Sequence, residues 1–135
     1  MNIEELKRQF IVEGDVLKER LETLVSQALR HCRIDKSGQV LITDTQLSGR
    51  DQVKLVLAAR AIAALLDENI RPEVSVVEIG KCTGLPANQV RARGKESIED
   101  KFAESTGAGV YRAIPHKIEA FLDSLSIAAK SKGNK

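Results

Sequence analysis

The chain has 135 residues, 42% of them hydrophobic and 30% charged, with few aromatics. This is the profile of one soluble globular domain, and neither a disordered nor a fibrous chain fits it. The net charge of +2 is too small to demand a polyanionic partner by itself, and the longest apolar run, Leu55 to Leu66, is interrupted by Arg60 and too short to span a bilayer.

From the start of the chain, Ile3, Leu6, Phe10, Leu17, Leu21, Leu24 and Ala28 keep helical spacing, with a break or a second helix start at Gly14-Asp15. The stripe is narrow and its far side highly charged. It suits either a coiled-coil seam between two chains or a helix lying on its own domain. Arg33 to Thr43 reads as a turn at Asp35 and Gly38 followed by a short strand at Val40, Leu41 and Ile42. The acids needed for a calcium loop are missing there.

Ser48 and Asp51 form a capping box that opens a helix whose stretch from Leu55 to Leu66 is apolar at every position except Arg60. A helix apolar all round must be covered on more than one side. The expected cover is a helix pair on one face and the N-terminal helix, a second subunit or both on the other. This is the sequence argument for a homodimer. The alanines of this helix also permit close approach, and Gly94 is expected to pack against them.

Arg71-Pro72 stops that helix, and a short strand is expected near Val74. Ser75 and Glu78 then form a second capping box, Gly84 supplies a left-handed stop, and Pro86 stands where the next helix begins. On the second helix Val90, Gly94 and Ile98 share one side. Asn88, Ala92, Lys95 and Glu99 lie opposite, with Arg91 on one edge and Gln89 and Arg93 on the other. Between Ile79 and Lys95 the bases Lys81, Arg91, Arg93 and Lys95 occur without an acid, whereas the first fifty residues carry eight of each sign. Glu96, Glu99 and Asp100 are the acids that could neutralise this patch along the helix. Phe102 to Ile114 reads as a hairpin turning at Thr106-Gly107-Ala108-Gly109. Pro115 opens a closing helix with Ile118, Phe121, Leu122 and Leu125 facing inward.

With its helix, short strand, two helices across a glycine turn, hairpin and last helix, the stretch from Leu47 to Leu125 resembles the winged helix-turn-helix family, in the manner of small prokaryotic or archaeal regulators. Gly80 and Gly84 match that family's small residue and turn glycine, and Val90 its buried aliphatic. Gly94 and Ser97 depart from it, standing where large aliphatics are usual. The resemblance implies a mainly α fold with a small β-wing, preceded by an N-terminal helical extension and a short strand over residues 1–46. The winged helix domain would take 47–127, and a disordered basic tail 128–135.

The function so implied is sequence-specific binding of double-stranded DNA by a cytoplasmic transcriptional regulator. The Pro86 helix would enter the major groove, with Asn88, Gln89 and Arg91 reaching base edges. Lys81, Arg93 and Lys95 would hold phosphates, and Arg112, the base on the returning strand, would be the wing's contribution. A winged helix serving as a protein-interaction module is the alternative, favoured by the near-neutral charge and by a wing tip without cations. RNA binding has less support, because stacking on unpaired bases needs exposed aromatics. No enzyme is expected. GKCTG at Gly80 lacks phosphate-loop spacing, and His31, Cys32, Cys82 and His116 show neither metal nor nucleophile spacing. No cofactor, metal, membrane or small-molecule ligand is inferred, and two lone cysteines without a leader-like segment fit a reducing cytoplasm.

Overall fold

A computed structural model of the chain describes residues 2–5 and 20–133. Of the residues with helical spacing, Leu6, Phe10 and Leu17 lie outside the described residues, as does the Gly14-Asp15 break. In the described part, α1 (Leu21–Ala28) leads into a hairpin of β1 (Cys32–Ile34) and β2 (Val40–Ile42). The long α2 (Gly49–Leu66) follows, then β3 (Val74–Ser75), α3 (Val76–Thr83) and α4 (Ala87–Glu99). A second hairpin, β4 (Ala103–Gly107) and β5 (Val110–Ala113), leads through a 3-10 turn at Pro115–Lys117 into α5 (Ile118–Gly133). The architecture is mainly helical with two small antiparallel sheets, one of β1 and β2 and one in the order β3-β5-β4.

The sequence predicts a single strand here, and the structure forms a hairpin of two, β1 and β2. Cys32 pairs with Ile42 and Ile34 with Val40. Its turn is made by Asp35, whose carboxylate accepts hydrogen bonds from the Ser37 and Gln39 amides and from the Ser37 hydroxyl, with Gly38 left-handed at φ 93°. That is an Asx turn, the reason aspartate and glycine belong there.

Helix α2 is the centre of the molecule. Every residue from Val53 to Ala63 is buried, Lys54 and Arg60 included. Helices α1, α3 and α4, β5 and the first hairpin all pack on it, so its cover comes from within one chain. A second subunit is not needed to bury it, and the dimer argument drawn from its apolarity loses that basis. Helix α5 lies against α1, where Arg20 bonds Glu119 at 2.8 Å and Gln27 donates to Asp123. As expected, Ile118, Phe121, Leu122 and Leu125 of α5 are buried, with the Phe121 and Phe102 rings 5.1 Å apart. The helix continues to Gly133, into the stretch from 128 expected to be a tail.

The charged exception in α2 turns out to organise its neighbours. The Arg60 guanidinium donates to the Arg71 carbonyl at 2.9 Å, the Glu73 carbonyl at 3.3 Å and the Glu78 carboxylate at 2.6 Å. It thus holds the segment entering β3 and the first turn of α3 at once. Glu78 therefore does not reach back to close the second capping box. Only half of that box forms, with Ser75 Oγ accepting from the Glu78 amide at 3.1 Å.

Two packing expectations on α4 also change. Its buried face is Val90, Gly94 and Ser97, while Ile98 remains 36% exposed. Gly94 does not pack against the alanines of α2. A Cβ there would lie 2.8 Å from Cζ of Tyr111 on β5, so the glycine admits the tyrosine ring between α4 and the sheet.

Two substitutions test these contacts. Arg60→Met should lower the unfolding free energy by about 2–4 kcal/mol, because two carbonyls lose their donor. Glu78→Gln, at a carboxylate 48% exposed, should cost no more than about 1 kcal/mol. Urea denaturation of the pair separates the roles, and equal losses would contradict this account. Gly94→Ala should be destabilising by about 1–2 kcal/mol in the same assay despite alanine's better helix propensity, since the ring of Tyr111 must move.

Candidate nucleic-acid interface

The α3–α4 pair is built from local signals that act together. Gly84 takes φ 77° as the C-cap of α3, and its amide donates to the Gly80 carbonyl at 2.8 Å, the left-handed stop that glycine makes cheaply. Thr83 Oγ1 accepts from the Leu85 amide at 3.1 Å, and Pro86 then caps α4 in an extended conformation. Val90 locks the helix into the core.

With Val90, Gly94 and Ser97 facing in, the outward face of α4 carries Asn88, Ala92, Lys95 and the acid Glu99, all exposed, and Arg91 and Gln89 are exposed on its flanks. Lys81 is exposed in the last turn of α3. Among the described residues Lys81, Arg91 and Lys95 make no ion pair. Arg93 is different, being half-buried and 3.2 Å from Glu96. Arg112 is likewise engaged, paired across the hairpin with Glu104. The structure therefore gathers Asn88, Gln89, Arg91 and Lys95 on one helix with free polar groups, and leaves Arg93 and Arg112 partly neutralised.

The acids at the end of α4 do not neutralise the patch along the helix, apart from Glu96. Asp100 turns instead to α2, where its Oδ2 accepts from Lys54 Nζ at 3.0 Å and from Arg50 Nη2 at 3.1 Å. The Lys54 ammonium also lies 5.4 Å from the centre of the Phe102 ring. The hydrogen bond and charge of Lys54, then the charge of Arg50, hold the Asp100 carboxyl below the ordinary aspartate range. Sequence spacing along α4 could not reveal this clamp, because its cations sit about fifty residues away in the chain. Next to it, Lys101 carries a left-handed φ of 61°, also unmarked in the sequence.

The second hairpin turns at Ala108 and Gly109, with Gly109 at φ 69° and a register shift between Ser105 and Gly107. Val74 pairs with Tyr111 and Ser75 with Val110, which fixes the hairpin to the start of α3. Residues 104–108 project into solvent. Tyr111, Phe102 and Phe121 are all buried. Burial also pushes the Cys32 thiol up to about 11, which keeps it protonated. No helix among the described residues is long and apolar enough to cross a membrane.

No protein-family profile matches the chain. A stretch of 93 residues, 69% of the chain, is 32% identical to UDP-N-acetylglucosamine 1-carboxyvinyltransferase from two strains of Thermus thermophilus, and it spans only 21% of that protein's length. Among solved structures, one concerned with regulation of DNA binding of Bordetella bronchiseptica BpsR by 6-hydroxynicotinic acid aligns over 92% of this chain and 78% of the other, with a TM-score of 0.44 and 15% identity. At that score the fold rests on this chain's own elements.

The Asp100 clamp has a pH signature. Its folded pKa is depressed, so its contribution to stability is full above the unfolded value of about 3.9 and is lost as pH falls through the folded value. Thermal melts of the parent chain and of Asp100→Asn should therefore differ most at neutral pH and converge below about pH 4. A gap that stays constant down to pH 2.5 would show that the carboxylate charge is not what holds the end of α4.

Proposed function

We propose that residues 47–127 form a winged helix domain that binds double-stranded DNA, with α4 in the major groove, and that the protein is a cytoplasmic, non-enzymatic regulator of transcription. The observation that carries the reading is the outward face of α4. Asn88, Gln89, Arg91 and Lys95 are exposed on a helix anchored at both ends, and neither cation is spent on an acid among the described residues. Asparagine and glutamine can pair bidentately with adenine and arginine with guanine. Lys81 and Lys95 supply phosphate contacts, with Arg93 and Arg112 as weaker ones because Glu96 and Glu104 already engage them. Residues 1–46 serve as an extension for packing or dimerisation.

The homodimer belongs to the proposal through the groove that the end of α2 forms with α1. Exposed Leu29 and Leu66 line a groove of about 370 Å³ between α1 and the end of α2. Its edges carry Arg33, Lys36, Asp35 and Asp67, both signs of charge, which a two-fold related copy can match.

A protein-interaction module is the second reading. It is favoured by the wing, whose exposed residues 104–108 hold no cation, and by the acids Glu96, Glu99 and Asp100 at the end of α4.

Selection of random duplexes followed by sequencing distinguishes the two. The DNA reading expects an enriched motif, palindromic if the dimer forms. In anisotropy titrations on that motif, Arg91→Ala should cost about 1–3 kcal/mol and relax preference at one base position. Lys95→Ala should weaken binding to all sequences and flatten the salt dependence by about one ion. Absence of enrichment, with both variants binding DNA like the parent chain, would leave the protein-interaction reading.

A further inference from the structure

Charge is divided along α4. The stretch from Ala87 to Lys95 holds no acid, and the acids begin at Glu96. Glu99 is exposed on the outward face one turn beyond Lys95, where its carboxylate repels a phosphate backbone. A duplex that meets this helix therefore meets it between Asn88 and Lys95. At 1.5 Å per residue that stretch covers about 10 Å, against a major groove about 12 Å wide.

The middle of the stretch is apolar. Ala92 stands two residues after Val90 and two before Gly94, both of which are buried. Two residues turn the helix by about 200°, so Ala92 lies opposite the core on the line of closest approach to a facing surface. It is exposed, with Asn88 one turn before it and Arg91 and Lys95 beside it. A methyl side chain has no hydrogen bond to offer a base edge. The apolar group that base pairs present in the major groove is the 5-methyl of thymine, and alanine is one of the side chains that suit it.

We infer that Ala92 is a specificity-determining residue that packs on a thymine 5-methyl group, so that the duplexes this protein selects carry an A·T pair at the centre of the segment read by α4. This rests on the DNA-binding reading and names the base chemistry that it selects. Asn88, which suits adenine, then reads a neighbouring pair one helical turn away.

Alanine is also the best helix former, so its presence on an exposed face does not alone identify the role. The experiment takes the selected duplex and replaces each thymine in turn with uracil, which removes the 5-methyl group and keeps the pairing. The parent chain, Ala92→Gly and Asn88→Ala are titrated against each duplex by anisotropy, with circular dichroism to establish that the variants are folded. Uracil at one position should weaken the parent chain about three- to fivefold, the worth of one buried methyl group. Ala92→Gly should bind the thymine and uracil duplexes equally at that position. Its lower helix propensity acts on both duplexes alike, so the ratio isolates the contact. Asn88→Ala should keep the thymine preference there and lose an adenine preference elsewhere in the motif. A selected motif without thymine, uracil tolerated at every position, or a thymine preference that survives in Ala92→Gly each overturns the inference while the DNA-binding reading stands. If no motif is enriched, both fall together.

Discussion

The Arg60 guanidinium is the constraint on which the rest of the arrangement depends. A charge inside a helix that is otherwise apolar must be satisfied where it lies, because leaving it unpaired is far more costly than any packing it displaces. Here it meets two carbonyls from the segment entering β3 and one carboxylate from the first turn of α3. The backbone groups that would otherwise be orphaned next to the core are thereby paired, and the start of α3 is fixed in position and direction. Because β3 pairs with β5, the same three bonds also set where the exposed hairpin stands relative to α2.

The second polar anchor acts at the other end of the helix pair. Lys54 lies six residues before Arg60, about 9 Å along the axis of α2, and with Arg50 it receives Asp100 from the end of α4. The two helices are thus tied at their beginning and at their end to one rod, with Val90 and Ile79 buried between. This division has an electrostatic result. Asp100 is drawn to α2 and Glu78 to Arg60, Glu96 pairs with Arg93 along the helix, and Glu99 stays exposed on the side of α4 that carries Lys95.

What the sequence showed and what it hid follow from range. Ser48, Ser75, Gly84 and Pro86 act within four residues of themselves, so their caps and the turn between α3 and α4 were legible. The inward faces of α5 and the burial of α2 were legible too, since periodicity alone reports them. Glu78 and Asp100 were misread because their partners lie 18 or more residues away, and no local pattern encodes such pairs. The first strand, Cys32–Ile34, was missed since three residues beside a turn carry too little pattern. Lys101 was missed for a different reason. A left-handed helix end normally announces itself by glycine, and here it does not.

Gly94 shows how a departure from a family's usual residue can carry information about the site. A large aliphatic at that position would fill the space between α4 and the sheet. In this chain the space is filled from the other side by the ring of Tyr111, close enough that a methyl group on residue 94 would overlap it. The ring is thereby buried, as are Phe102 and Phe121. Among the described residues the tyrosine and phenylalanine rings are thus buried, while the His116 ring is exposed. What α4 offers is amide and guanidinium groups at the spacing of a helix surface, which suit the edges of stacked base pairs in a groove. The glycine that looks like a weak point in the helix thus makes room for the ring that closes the space behind α4.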